Sequence, residues 1–323
     1  MKKELEVYLE GNILESSYGE RLDAAISALF PQYSRSNIQK WIKNHSVKVS
    51  GVTVEKVNGR VKGGEAVEIS AVLETKAPWQ AEAIDLDIVY EDESLIIVNK
   101  THNMVVHPAA GNNEGTLVNA LLFHFPELNA LPRAGIIHRL DKDTTGLLVI
   151  ARNLSAHNHL IEQQQARAFT REYICLVEGE LTAGGTIEAN IGRHPQNRIK
   201  MAVVEDGKYA VTHYRRVARM GPYSLLRVRL ETGRTHQIRV HMAHLGHPLV
   251  GDPLYGDASK RPQGVSDSWV DTIKQFRRQA LHARLLGIKH PVSENPLEWT
   301  QETPDDFQSL LDDMIETFGV EHY

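Results

Sequence analysis

Between the apolar runs Ile136-Ile137 and Leu147-Leu148-Val149-Ile150 lies a polar nonapeptide, His138-Arg139-Leu140-Asp141-Lys142-Asp143-Thr144-Thr145-Gly146. Both runs have strand length, so the segment reads as a loop displayed by a sheet, where functional side chains concentrate. Asp141 is its most useful member chemically. An ionised carboxylate can stabilise a developing positive charge, add to it as a nucleophile, or take up a proton. An ordinary aspartate, with a pKa of about 3.9, is ionised at neutral pH; burial would oppose that and a nearby cation would favour it. Taken alone, the same carboxylate also fits a surface or capping residue beside Arg139 and Lys142.

A second polar group follows at Gly233-Arg234-Thr235-His236-Gln237-Ile238-Arg239-Val240-His241. His236, His241, His244 and His247 cluster there, a spacing at which imidazoles can bind zinc. A metal enzyme is therefore one rival reading, but there is no HExxH arrangement and no acid between Arg234 and Pro248. No metal is expected. Cys175 is the single cysteine, which excludes an internal disulfide, a four-thiolate zinc site and a redox pair. No Walker sequence is present, and no nucleotide or other cofactor is expected.

The elements that must position these residues belong to a chain of 323 residues, 41% hydrophobic and 24% charged, long enough for two domains. No apolar run approaches the ~20 residues that span a bilayer. Met1-Lys2-Lys3-Glu4 turns acidic at once, without a signal-peptide stretch, so no membrane partner and a cytoplasmic location are expected. Nothing demands a dimer, and a monomer is expected. The net charge of −5 is unevenly spread: residues 290–323 hold nine acids and no Lys or Arg. Residues 33–65 hold seven Lys or Arg against two acids, a local basic face suited to phosphate.

Residues 19–70 read as a small module. Leu22, Ala25, Ile26 and Leu29 have helical spacing, Pro31 ends that helix, and Ser34 or Ser36 can cap a second. The second helix carries Ile38, Trp41 and Ile42 inward and leaves Arg35, Lys40 and Lys43 outside; Lys48 follows on a short strand. Residues 71–84 show no period and read as a linker. Residues 85–323 are strand-rich with interspersed helices, which predicts an α+β domain on a mostly antiparallel sheet. The chain ends in an amphipathic helix with Thr303 as N-cap and Pro304 in its first turn; a docked structural helix is the simplest reading, an acidic contact surface the other.

The basic module resembles the S4 RNA-binding module, which carries Ser-Arg-Ser before its second helix, here Ser34-Arg35-Ser36. His45 and Ser50-Gly51 stand where that module usually has glycine and Asn-Gly. The nonapeptide resembles the His-Arg-Leu-Asp-x-x-Thr-Ser-Gly signature of the RluA-type pseudouridine synthases, departing only at Thr145. Arg171-Glu172-Tyr173, the Gly233–His241 element and His247-Pro248-Leu249-Val250-Gly251-Asp252-Pro253-Leu254-Tyr255-Gly256 match later stations of that family in order. Ala134–Ile137 and Arg278-Gln279-Ala280-Leu281-His282-Ala283 look most like members acting on large-subunit (23S) ribosomal RNA, at the stem-loop called helix 69.

The resemblance implies a pseudouridine synthase fold, a reaction that detaches uracil from ribose and rejoins it through carbon, and 23S RNA or a large-subunit precursor as partner. No electrons are exchanged and uracil leaves as a delocalised anion, so one carboxylate suffices where glycosidases commonly use two. By resemblance Asp141 is the catalytic carboxylate and Arg239 its cation. Arg139 fills the space left by a flipped base, and Tyr173 lies against the uracil and can help move the C5 proton. A non-catalytic RNA-binding or ribosome-assembly protein is the other rival, but binding alone does not require the carboxylate.

Overall fold

The structure is a computed structural model that describes residues 3–30, 33, 35–75, 79–108, 111–256 and 265–322. It divides into two compact units, Met1–Pro78 and Trp79–Tyr323.

The first unit is built from β1 (Lys3–Asn12), α1 (Leu22–Leu29), α2 (Arg35–Lys43), β2 (Val47–Val49), β3 (Val52–Thr53) and β4 (Ala66–Thr75), with sheet order β1-β4-β2-β3. The expected apolar faces meet here: Leu22, Ala25 and Ile26 of α1 and Ile38, Trp41 and Ile42 of α2 share a core with Val7, Val67 and Ile69. The sheet takes in more than residues 19–70. β1 pairs with β4 from Lys3↔Thr75 to Asn12↔Ala66, so residues 71–75, expected as linker, continue a strand. Pro31 and Ser34 lie outside the described residues. His45 adopts a left-handed conformation with φ 59°, and Ser50-Gly51 follow with φ 49° and 78°. These are the positions where the S4 pattern usually has glycine and Asn-Gly, residues that tolerate positive φ.

The second unit contains β5 (Ile88–Glu91), β6 (Leu95–Lys100), α3 (Leu117–His124), β7 (Thr145–Ala151), α4 (Leu154–Gln165), β8 (Thr170–Glu178) and β9 (Gly185–Glu188). It continues with β10 (Ile191–Arg193), β11 (Met201–Val203), β12 (Val211–Met220), β13 (Tyr223–Leu230), α5 (Gln237–His244), α6 (Asp267–Gln275), β14 (Leu281–Lys289), β15 (Pro296–Thr300), α7 (Asp305–Phe318) and β16 (Glu321–His322). The main sheet runs β16-β12-β13-β8-β14-β7-β6-β5, with β15 beside β14 and β9 beside β12. Among the named strands of the described residues only β7 and β14 pair in parallel, so the α+β, mostly antiparallel expectation holds.

Burial on both faces explains why β6 and β7 read as continuous apolar runs. Ile96, Val98, Leu148 and Ile150 join the core beneath α3, while Leu95, Ile97, Leu147 and Val149 join the one beneath α4. Ile136-Ile137 does not form the expected strand. It makes one bridge, Ile136↔Ile150, after a turn in which Arg133, Ala134 and Gly135 all have positive φ. A Cβ on Gly135 would strike the Ala151 carbonyl, so the close approach of this turn to β7 requires glycine. The C-terminal helix docks as expected through Phe307, Leu310, Leu311 and Met314. Its N-cap is Pro304 rather than Thr303, whose hydroxyl bonds Gln308 instead.

Candidate active site

The polar nonapeptide turns between the Ile136 bridge and β7, and the core clamps it from both ends. The buried Lys100 ammonium donates to the carbonyl oxygens of Thr101, Met104 and Lys142 at 2.7, 2.9 and 2.8 Å. Arg278 Nη1 donates to the Asp143 carbonyl at 3.3 Å, Gln279 Nε2 to Thr144 Oγ1 at 3.0 Å, and Thr145 Oγ1 pairs with His282 Nδ1 at 2.8 Å. The Arg278–Ala283 segment noted as a motif is thus the scaffold of the Asp141 loop. Gly146 has φ 110°, and a Cβ on it would collide with the Ala283 carbonyl; glycine lets β7 run beside β14 at the end of the loop.

Asp141 emerges from this clamp into a cleft of about 620 Å³, within the usual range for ligand pockets. Its side chain is 15% exposed and its Oδ2 accepts from Arg239 Nη1 at 3.1 Å. Arg239 comes from α5 and is itself aimed by Asp252: Nε to Oδ2 at 2.7 Å and Nη2 to Oδ1 at 2.8 Å. Asp252 is fully buried and also receives the backbone N–H groups of Leu254 and Tyr255. One guanidinium therefore bridges a buried anchor and a reachable carboxylate. Burial works against the charge on Arg239, but Asp252 first and Asp141 second outweigh it and hold the group above its ordinary pKa.

The other wall comes from β8, whose alternation sends Arg171 and Tyr173 to the cleft and Glu172 to the opposite face. Glu172 is held there by Arg227, Arg229 and Arg284 at 3.2, 2.9 and 3.2 Å. Tyr173 is 6% exposed; it packs into the core and presents to the cleft at once. Burial pushes its phenol above the ordinary range. Arg139 lines the cleft and is exposed. His138 lies behind it, where burial and then Arg171 lower its pKa to about 3, so its neutral ring accepts from Val149 N–H.

Three of the clustered histidines have separate partners. His236 Nδ1 meets the Tyr255 hydroxyl, His241 meets Thr212 and the Ala189 carbonyl, and His247 meets the Glu178 carbonyl. Among the described residues no three His, Cys, Asp or Glu side chains are placed to hold a metal. Gln237 locks the preceding loop, donating to the Val211 carbonyl and Thr212 and accepting from Thr232 and Arg234 N–H.

Asp141, Tyr173, Arg239 and Arg139 are thus gathered in one cleft. Sequence reasoning missed Lys100 and the roles of Asp252, Tyr255 and Gln279; a buried lysine leaves no mark in an otherwise apolar run. Arg35, Lys40, Lys43 and Lys48 lie in the first unit, where all four are exposed. Arg35 is committed there to Asp23, a fully buried carboxylate that it grips at 3.0 and 2.9 Å, with help from Arg21 and Gln39. Burial opposes that charge, and these hydrogen bonds outweigh it and hold Asp23 well below the usual carboxylate range.

Comparison with known proteins agrees with this arrangement. Residues 94–244 match the RNA pseudouridylate synthase family model, and residues 20–67 match the S4 domain model. Ribosomal large subunit pseudouridine synthase D of Escherichia coli (strain K12) is 49% identical over 312 residues, covering 97% of this chain and 96% of that protein. The protein of that name from Haemophilus ducreyi is 49% identical over 304 residues, covering 94% of each. Among solved structures, Human RNA Pseudouridylate Synthase Domain Containing 1 superposes with TM-score 0.52 at 27% identity, covering 76% of this chain and 97% of that one. Human RNA Pseudouridylate Synthase Domain Containing 4 superposes with TM-score 0.55 at 23% identity over 72% and 93%, a likeness of fold. The chain belongs to the RNA pseudouridylate synthase family, isomerases that convert uridine to pseudouridine, and carries an S4 domain in its first unit.

Proposed function

We propose that this protein isomerises uridines of large-subunit (23S) ribosomal RNA, within the stem-loop called helix 69, and that Asp141 carries the chemistry. The supporting observation is the Asp141–Arg239–Asp252 bridge opening onto a cleft walled by Tyr173. The target nucleotide leaves its stack and enters the cleft, at the cost of a few kcal/mol of unstacking. Arg139, exposed at the cleft, occupies the vacated space. Tyr173 offers a ring face to the uracil, and its phenol, kept protonated by burial, can exchange a proton near C5 once the ring has turned. Asp141 meets the ribose as the C1′–N1 bond breaks.

The S4 unit adds phosphate contacts through Lys40, Lys43 and Lys48. Arg35 contributes less, because it is already paired with Asp23. Catalysis calls on no redox or nucleotide cofactor, since the reaction only moves a base on its own sugar.

The direct test is Asp141→Asn. Pseudouridine formation in a large-subunit RNA transcript should vanish while RNA affinity stays within about threefold of wild type. Turnover near the wild-type rate would remove Asp141 from the mechanism. Mapping pseudouridines in ribosomal RNA from cells with and without the gene fixes the target; unchanged helix 69 modification would move the substrate elsewhere.

A further inference from the structure

Among the cationic side chains that line the cleft, Arg171 has a distinctive environment. It is 9% exposed, its Nε is buried without a hydrogen-bond partner, and among the described residues none pairs with its guanidinium. A buried cation in that state costs free energy, whereas Arg239 has two carboxylates and Arg278 is paired with Asp306. Gly233 keeps the space beside it open: a Cβ there would lie 3.0 Å from Arg171 Nη1. The fold maintains an uncompensated positive charge and leaves room for it against the cleft.

Its position says what it waits for. Arg171 and Tyr173 alternate on β8 and share a face, their Cα atoms roughly 6.6 Å apart at the ordinary rise of a strand. A planar group lying on Tyr173 therefore has its edge within reach of the Arg171 fork. Elsewhere in the cleft Asp141 and Asp252 share one guanidinium, which leaves that triad one excess negative charge. An anion released here is repelled by the triad and drawn to Arg171.

We infer that Arg171 binds the departing uracil, donating hydrogen bonds to a ring carbonyl oxygen as negative charge develops there. This rests on the reading that Asp141 acts at the sugar and Tyr173 at the base. When the C1′–N1 bond breaks, its electron pair goes to N1 and spreads onto O2 and O4. Arg171 keeps its protons and stabilises that charge through N–H···O contacts. When C5 then bonds to C1′ the ring anion is neutralised, and as C5 gives up its proton N1 gains one, so the charge has left the ring carbonyls and the contact weakens. The interaction is stronger in the cleavage transition state than in bound RNA, which is the condition for accelerating the step.

The test compares two leaving groups. Single-turnover cleavage is measured on a large-subunit RNA transcript made with uridine and on one made with 5-fluorouridine, whose ring stabilises its own anion better. Arg171→Met should slow the uridine transcript by about 10²- to 10³-fold, as loss of one preorganised donor does, with RNA affinity little changed. On the fluorinated transcript the deficit should shrink at least tenfold. Arg171→Lys keeps a cation at the position and should fall between wild type and Met on both; it carries the comparison if the Met protein does not fold. Equal deficits on the two transcripts, for whichever variant folds, would overturn the inference and leave Arg171 a packing residue. If wild type converts neither transcript, the underlying functional reading fails instead.

Discussion

Asp252 touches no substrate in the arrangement above, yet its replacement should be the more damaging to the fold of the two carboxylates on Arg239. In Asp252→Asn the buried guanidinium, 4% exposed, keeps the 3.1 Å bond to Asp141 and one neutral acceptor, the amide oxygen. It loses a bidentate pair of 2.7 and 2.8 Å, and an amide N–H₂ faces one arm of the fork, donor against donor. Breaking a buried pair from one side costs about 3–5 kcal/mol. For a domain of this size that corresponds to a fall in Tm of roughly 6–20 °C. Asp141→Asn removes one longer contact at a more accessible position and should cost about 1 kcal/mol. Thermal unfolding of the two variants, beside single-turnover pseudouridine formation, separates the roles. Asp141→Asn should melt within a few degrees of wild type and make no product. Asp252→Asn should melt far lower and, where folded, react at least tenfold more slowly because Arg239 is no longer aimed. An Asp252→Asn protein with wild-type Tm and rate would refute the claim that Asp252 orients Arg239.

Tyr173→Phe retains the ring and removes the hydroxyl; RNA affinity should persist while pseudouridine formation in the bound complex slows, and an unchanged rate would leave Tyr173 as a stacking surface only. Gly146→Ala forces a Cβ into the Ala283 carbonyl at positive φ and should cost about 3 kcal/mol or more, read as lost soluble expression or a large drop in Tm. His282 is buried neutral, with burial lowering its pKa to about 4 from 6.5; Nε2 donates to the Gln301 carbonyl and Nδ1 accepts from Thr145. The unfolded chain therefore binds the extra proton in that window, so stability is full above pH 6.5 and is lost as pH falls toward 4. Urea midpoints measured from neutral pH downward should decline, and His282→Gln should flatten the decline; parallel curves would contradict this.

Much of this was legible because the local rules and the tertiary structure agree. The stripes of α1, α2 and α7 bury most of the residues their spacing predicts, Ile315 of α7 staying 41% exposed, and β6 and β7 are apolar on both faces because helices cover both. The misses differ in cause. β1 was legible and went unread: Leu5, Val7 and Leu9 alternate with Glu4, Glu6 and Glu10, the period of a half-buried strand, and β4 keeps that alternation through Val67, Ile69, Ala71 and Leu73. Ile136-Ile137 has strand composition, but its register is set by a turn with three positive φ values and a carbonyl contact at Gly135. Those constraints belong to the tertiary fold and have no periodicity to read.

The site divides the same way. The family resemblance brings out Asp141, Tyr173 and Arg239 as candidate site residues, whereas the groups that hold them in place are read only from contacts. Arg35 shows the converse: composition marks it for phosphate, and the buried Asp23 claims it. A basic residue in a basic module is free for RNA only if no buried carboxylate needs it. The same test applied to the cleft gives the opposite answer for Arg171, which is buried and, among the described residues, has no carboxylate paired with it. An unpaired cation is expensive to keep in a folded protein, so one held beside a carboxylate–guanidinium bridge points to an anion that arrives only during turnover. In a reaction that expels uracil from ribose, the anion formed inside the cleft is the base itself.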